Sequence, residues 1–187
     1  MTSTTDIATD IATGTDWVAG TWTIDPSHSE VGFTVRHLVS KVRGQFETFE
    51  GTLTTGETLE ETRANASIDL NSVNTRDAGR DGHLRSADFF DVENHGPMTF
   101  VTTSFDGQTA TGELTLKGVT RTVELDVEFL GIGGDPWGGT RAGFEATTEI
   151  NRKDFGVNFN GIVDGGKVLV GDKVQIHLAI EAVLDQA

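Results

Sequence analysis

Between residues 80 and 91 the chain reads RDGHLRSADFFD, setting Arg80, Asp81, His83, Arg85, Asp88 and Asp91 beside the pair Phe89-Phe90. Residues of these types can do three things. They can move protons, hold a metal ion, or form the mixed polar and apolar rim of a pocket. Proton transfer needs a carboxylate or imidazole set apart from its neighbours. Asp77, Asp81 and Asp88 each have an arginine within four positions, a pairing that keeps a carboxylate ionised. A metal site would have to come from histidine and carboxylates, because the chain has no cysteine. Its five histidines, His28, His37, His83, His95 and His177, form neither H-x-H nor H-E-x-x-H, so spacing indicates no metal. No serine lies in G-x-S-x-G, and no glycine-rich loop has a phosphate-binding pattern. Catalysis is therefore not expected, and the stretch reads as a lid over a pocket. Arg80, Asp81 and Arg85 are expected to form its anchoring network, while Leu84, Phe89 and Phe90 cover what lies beneath. His28, at a strand entry, is expected to make a structural hydrogen bond to backbone or hydroxyl.

The elements that position this lid have a period of two. Val31, Phe33 and Val35 alternate with small or polar residues, as do Ala64, Ala66, Ile68 and Leu70, then Leu114 and Leu116, then Val123 to Phe129, then Val174 to Ala182. Trp22–Asp25 and Gln45–Thr54 complete eight or nine strands. Turn residues separate them at Thr55-Gly56-Glu57, Asp106-Gly107-Gln108, Lys117-Gly118, Gly131–Gly139 and Asp164-Gly165-Gly166. Many short antiparallel strands favour a sandwich or a barrel, and closure removes exposed edges. The fold class expected is all-β: an antiparallel up-and-down barrel of about eight strands. A short helical segment is expected near residues 76–90, despite Gly79 and Gly82, with Leu84, Ala87 and Phe90 facing inward. At 187 residues the chain is one domain, starting near Trp17. Residues 1–16 are mostly Thr, Asp and Ala with only two isoleucines, and are expected to be a disordered tail. The N-terminus has no basic and apolar leader pattern, so a cytoplasmic location is expected.

Charge and aromatic content narrow the partners. A formal charge of −15 disfavours nucleic acid and anionic membrane surfaces, and no apolar run is long enough for stable membrane insertion. Within this acidic chain, residues 31–46 contain no acid at all but carry Arg36, His37, Lys41 and Arg43, a basic stretch suited to an anionic head group. Surface ion pairs with acids elsewhere would use the same residues. Eleven phenylalanines, three tryptophans and no tyrosine make nearly every aromatic purely apolar. Phe33, Phe46, Phe49, Phe100, Phe105, Phe129 and Phe144 suit either a lipid-lined lumen or an ordinary core. Small inward residues decide which, and Gly32 or its neighbours, Ala64, Ala66, Ala146, Ala179 and Ala182 are the candidates.

Six blocks carry a resemblance: WTIDPSHSEVGFTVRHL (22–38), GQFETFEG (44–51), SVNTRDAGRDGHLRSADFFDVENHGPMTF (72–100), GELTLKGVT (112–120), INRKDFGV (150–157) and VGDKVQIHLAIEA (170–182). In this order they resemble the YceI-like proteins, whose members have a lipocalin-like barrel and bind polyisoprenoid lipids. The departures are the acidic tail, where periplasmic relatives have a signal peptide, and Glu93-Asn94-His95-Gly96-Pro97, where a tyrosine often precedes the proline. The resemblance implies an isoprenoid or other long-chain lipid, either a polyprenyl compound or a quinone, held without a cofactor for transport, storage or stress protection. On this reading Phe33, Phe46, Phe49, Leu84, Phe89, Phe90, Phe100 and Phe155 meet the tail. Arg36, His37, Lys41, Arg43 and His83 meet the head. An enzyme acting on an apolar substrate in the same lumen, and a partner-binding barrel with a filled core, are the alternatives. A homodimer through an exposed strand or loop is compatible with all three.

Overall fold

The computed structural model describes residues 17–187, so the tail expected over residues 1–16 lies outside the described residues. In chain order the elements are β1 (Gly20–Ile24), β2 (Glu30–His37), β3 (Ser40–Phe46), β4 (Phe49–Thr55), β5 (Arg63–Ile68), β6 (Val73–Asn74), helix α1 (Ala78–Arg85), β7 (Met98–Phe105), β8 (Thr109–Leu116), β9 (Val119–Gly134), β10 (Thr140–Asn151), β11 (Ile162–Val163), β12 (Lys167–Val168) and β13 (Val170–Leu184). Eight of them close a ring in the order β1-β4-β5-β7-β8-β9-β10-β13, and β13 returns to β1 through Trp22↔Leu184, Thr23↔Val183 and Ile24↔Ala182. Every pairing is antiparallel.

The long strand β13 makes closure possible. One edge pairs with β10 from Lys173 to Val183. The other is shared, with Ala182–Leu184 on β1 and Val170–Ala179 on β2. The β2–β3 hairpin therefore extends the wall at one end of the ring, and the short β6 and α1 continue from it. Gln45–Thr54, expected as one strand, is two: the chain changes partner from β2 to β1 and β5 at Glu47-Thr48, and the ladder breaks there. The Gly131–Gly139 stretch is a turn only from Asp135, because β9 runs on to Gly134 past a register shift opposite Gly143/Phe144. Lys117 and Gly118 both have positive φ, 51° and 74°, the tight hairpin geometry whose twist matches the flanking strands.

Alternation sorts the residues as period two requires. In β13, Val174, Ile176, Leu178, Ile180 and Ala182 turn inward, while Gln175, His177 and Ala179 are exposed. Ala179 is thus an outer residue, as its pairing with Glu30 and Glu145 implies. Gly32 pairs with His177 on the outward phase, and its neighbours Val31 and Phe33 take the inner one. The interior forms two apolar clusters, one around Phe46, Phe49, Phe89 and Phe155 near α1, the other around Trp22, Leu53, Phe105 and Phe144 toward the far end. Helix α1 starts because the Asp77 side chain accepts the Arg80 N–H at 2.8 Å. Among the described residues, no helix is long and apolar enough to cross a membrane.

At the far end, Arg141 ties β10 to three acids. Its guanidinium donates to Asp25 Oδ2 (2.8 Å), Asp135 Oδ2 (2.9 Å) and Glu181 Oε1. Asp25 is held well below the usual carboxylate range by hydrogen bonds from Ser27, Arg141 and His28, and Asp135 is lowered by Arg141 and by the Gly139 N–H. Both groups have lower pKa values folded than unfolded. Their stabilisation is therefore complete above the ordinary value of 3.8 and is lost as pH falls through the lowered values. Arg141→Met should lower the melting temperature by a few degrees at neutral pH, and the gap to the unsubstituted chain should narrow as pH drops below 3.8. Thermal melts across an acid series check this, and a gap independent of pH would remove the ion network as its source.

Candidate functional site

The inward side chains leave two adjoining cavities along the barrel axis, of about 160 Å³ and 120 Å³. Both include Val31, Met98 and Ile176 in their walls, so they lie next to each other inside the ring, and together they are its lumen. Each far exceeds the roughly 10–15 Å³ that one water needs, yet the walls are almost wholly carbon, and such a space stays dry. Thr62 Oγ1 is the one buried side-chain polar atom without a partner among the described residues, and Thr62 belongs to the wall of the larger chamber.

Small residues keep the space vacant. Ala64, Ala66, Ala110 and Ala146 face the larger chamber from three different parts of the sheet. Two glycines let aromatic rings lie close against the wall. A Cβ on Gly44 would stand 2.5 Å from the tip of the Phe33 ring, and one on Gly112 would stand 2.4 Å from that of Phe100. A side chain at either position would force the ring away from the glycine.

Most of the apolar residues picked from the sequence reach this lumen. Phe33, Phe46, Leu84, Phe89 and Phe90 line the smaller chamber, at the α1 end, and Phe49 and Phe100 line the larger. Phe155 does not line either chamber: only 1% exposed, it is packed into the core near α1. The basic group is dispersed. Arg36, Lys41 and Arg43 are exposed and lie on the phase opposite Phe33, Val35 and Phe46, with Arg36 facing Lys41 and Arg43 facing Thr34 across the hairpin. They stand on the outer face because period two places them there, and they do not line the lumen. His37 has the inward phase but falls beyond the chamber walls at the strand end. His83 stays at the surface, with its ring edge-on to Phe89 and Phe159 at 5.0 and 4.8 Å and Nε2 2.7 Å from Asp88 Oδ2.

This architecture has clear relatives. Residues 22–182 match the family described as YceI-like domain. The chain belongs to the YceI-like family. A UPF0312 protein of Staphylococcus aureus (strain MSSA476) is 39% identical over 166 residues, which is 86% of this chain and 95% of that protein. The crystal structure of the Campylobacter jejuni YceI protein is similar at 28% identity and a TM-score of 0.69, over 87% of this chain and 96% of that one. A polyisoprenoid binding domain from Saccharophagus degradans, implicated in plant cell wall breakdown, shares the fold at 16% identity and a TM-score of 0.69, over 90% and 100% of the two chains.

In this YceI-like chain the lid is anchored differently from the expectation. Arg80, Asp81 and Arg85 form no ion pair with one another. They converge on backbone and on Thr75, which the sequence reading did not single out. The buried Asp81 carboxylate accepts the Thr75 N–H (2.9 Å) and hydroxyl (2.5 Å). Arg80 donates to Thr75 Oγ1 and to the Thr75 carbonyl, each at 2.7 Å. Arg85 donates to the Asn71 carbonyl at 2.9 Å. Ala87 is exposed, and Phe89 takes the buried place expected for it, because the helix ends at Arg85 and the following turn reverses the chain. His28 is not part of this network. It lies at the far end, exposed, with Nδ1 2.9 Å from Asp25 Oδ2.

Arg152 is the second residue missed. It is 5% exposed, lines the smaller chamber and donates to the carbonyls of Gly171 (2.9 Å), Val157 (2.7 Å) and Phe159 (2.8 Å). Burial lowers its pKa, and Asp172 opposes that effect. One arginine thereby fastens the loop carrying Phe159, which packs on Phe89 at 5.2 Å. Its only sequence signal was its place in the INRKDFGV block.

Asp25, His28 and Glu181 bring ligand-type atoms within 4.8 Å of one another, but Arg141 already supplies both carboxylates with a positive partner. For the lid, Asp81→Ala leaves the buried Thr75 N–H without its acceptor, at a cost of about 1–3 kcal/mol. Hydrogen exchange should rise first across α1 and the residues up to Phe90, while the ring strands keep their protection. Equal loss of protection everywhere would mean that Asp81 supports the barrel and not the lid.

Proposed function

We propose that the chain binds a long isoprenoid lipid, a polyprenyl compound or quinone, non-covalently in its lumen and performs no chemistry on it. The observation that carries this reading is the carbon-walled space of two adjoining chambers, the larger kept open by Ala64, Ala66, Ala110 and Ala146. A core that is only structural closes such space, since interiors pack to crystal density and each unfilled methyl-sized void costs stability. The polyisoprenoid binding of the Saccharophagus degradans domain supports the same reading. Each buried methylene contributes about 0.8 kcal/mol, offset by the ordering of the chain and the cost of association, so a tail of several isoprene units is favoured over a small molecule. No acid–base pair or nucleophile stands in the walls, where Thr62, Thr102, Thr148 and the carbonyl-bound Arg152 are the polar residues. Carriage, storage and stress protection in the cytoplasm are the roles this binding would serve.

Affinity should rise with the number of isoprene units in a series of polyprenols and level off once the lumen is full, as read by calorimetry. Ala146→Phe separates a vacant lumen from a packed core. In a packed site the larger ring costs about 1–3 kcal/mol. Here it should leave the melting temperature unchanged or raised while abolishing polyprenol binding. A destabilised variant that still binds polyprenol would overturn the reading.

A further inference from the structure

We infer that the α1 end of the barrel docks on an anionic lipid bilayer through the tips of the β2–β3 and β11–β12 hairpins. Four large aliphatic side chains are exposed there: Val39 at 98%, Ile162 at 82%, Val168 at 46% and Leu38 at 39%. They form one patch. The Leu38 N–H donates to the Leu169 carbonyl at 2.9 Å, the Leu169 N–H donates to the Gly161 carbonyl at 2.9 Å, and Ile162 pairs with Val168. The two tips therefore stand side by side. Charge on the adjoining faces selects the surface that would cover them. Arg36, Lys41 and Arg43 are exposed on the outer face of the β2–β3 hairpin, whose residues 31–46 hold no acid, and Lys167 is exposed on β12. Of the acids at this end, Asp172 lies 3.1 Å from Lys153 and 3.7 Å from Arg152, and Asp88 lies 2.7 Å from His83, while Asp154 and, in the β11–β12 turn itself, Asp164 are exposed and oppose the basic residues.

A chain of formal charge −15 is repelled as a whole by an anionic surface. A local basic and aliphatic patch reverses that at close range, within the Debye length of about 10 Å at 0.1 M salt, and orients the molecule with the patch toward the bilayer. Aliphatic tips flanked by basic residues match the interface of such a bilayer, apolar within and negative at its face. The strand β2 that leads into the patch, and β13 that pairs with it and follows β12, also build the smaller chamber, through Val35, Val170 and Val174. Docking would bring that chamber and its lid to the lipid, and this purpose, unlike the docking itself, rests on the proposed function.

Sedimentation of the full chain with vesicles tests the inference. Vesicles of phosphatidylcholine with phosphatidylglycerol should carry the protein down, phosphatidylcholine alone should not, and added salt should release it. Lys41→Glu should weaken anionic-vesicle binding about tenfold. Val39→Asp with Ile162→Asp should weaken it about tenfold as well, with an unchanged melting temperature and unchanged polyprenol binding. Absence of binding to anionic vesicles by a chain that still takes up polyprenol would overturn the docking surface and leave the lumen reading intact. Vesicle binding that both variants retain would overturn it too. Vesicle binding lost in both variants, by a chain that takes up no polyprenol, would support the surface and overturn the lumen reading.

Discussion

A closed antiparallel ring obliges every second residue to face inward, and what the ring can hold is set by the size of those residues. In this chain, alanines at 64, 66, 110 and 146 occupy positions where larger aliphatic residues would fill the centre. Ring closure itself depends on Trp22–Ile24 meeting Ala182–Leu184, which joins the first and last strands and leaves the backbone groups of both edges paired. The two conditions belong together. Closure without small inward residues gives a filled barrel, and small residues in an unclosed sheet give a collapsed core.

The two ends of the ring are built unlike each other. The far end is held by charge, with Arg141 among Asp25, Asp135 and Glu181, and by the buried Trp22, whose indole N–H donates to Thr55 Oγ1 at 2.9 Å. The α1 end is held by hydrogen bonds to main-chain groups. Thr75 gathers Asp81 and Arg80, and Arg152 gathers the carbonyls of Val157, Phe159 and Gly171. Such contacts order a lid without filling the space behind it, so apolar side chains such as Phe89, Phe90 and Leu84 can turn inward.

Much of this could be read from the amino acids. Period two fixed which of Val31, Phe33, Val35, Ile176 and Leu178 face the lumen, and turn residues such as Lys117-Gly118 placed the hairpins. What escaped the reading depended on distance in sequence or on phase. Arg36, Lys41 and Arg43 are close in sequence and share one charge, but charge does not report phase, and the pairing of Arg36 with Lys41 puts them on the outer face. Thr75 and Arg152 act through backbone carbonyls and amides, which leave no pattern in residue type. Asp25 and Arg141 are 116 positions apart, and only the closed ring brings them together. Phe155 was indistinguishable from the lumen phenylalanines, because core and lumen ask for the same side chain.

Native mass spectrometry of the protein purified without detergent, followed by organic extraction, tests the lumen most directly. A lipid-filled barrel predicts an added mass of one ligand per chain that extracts as a polyprenyl compound or quinone, and its removal should lower the melting temperature. A mass equal to the bare chain, unchanged after incubation with polyprenols, would contradict it.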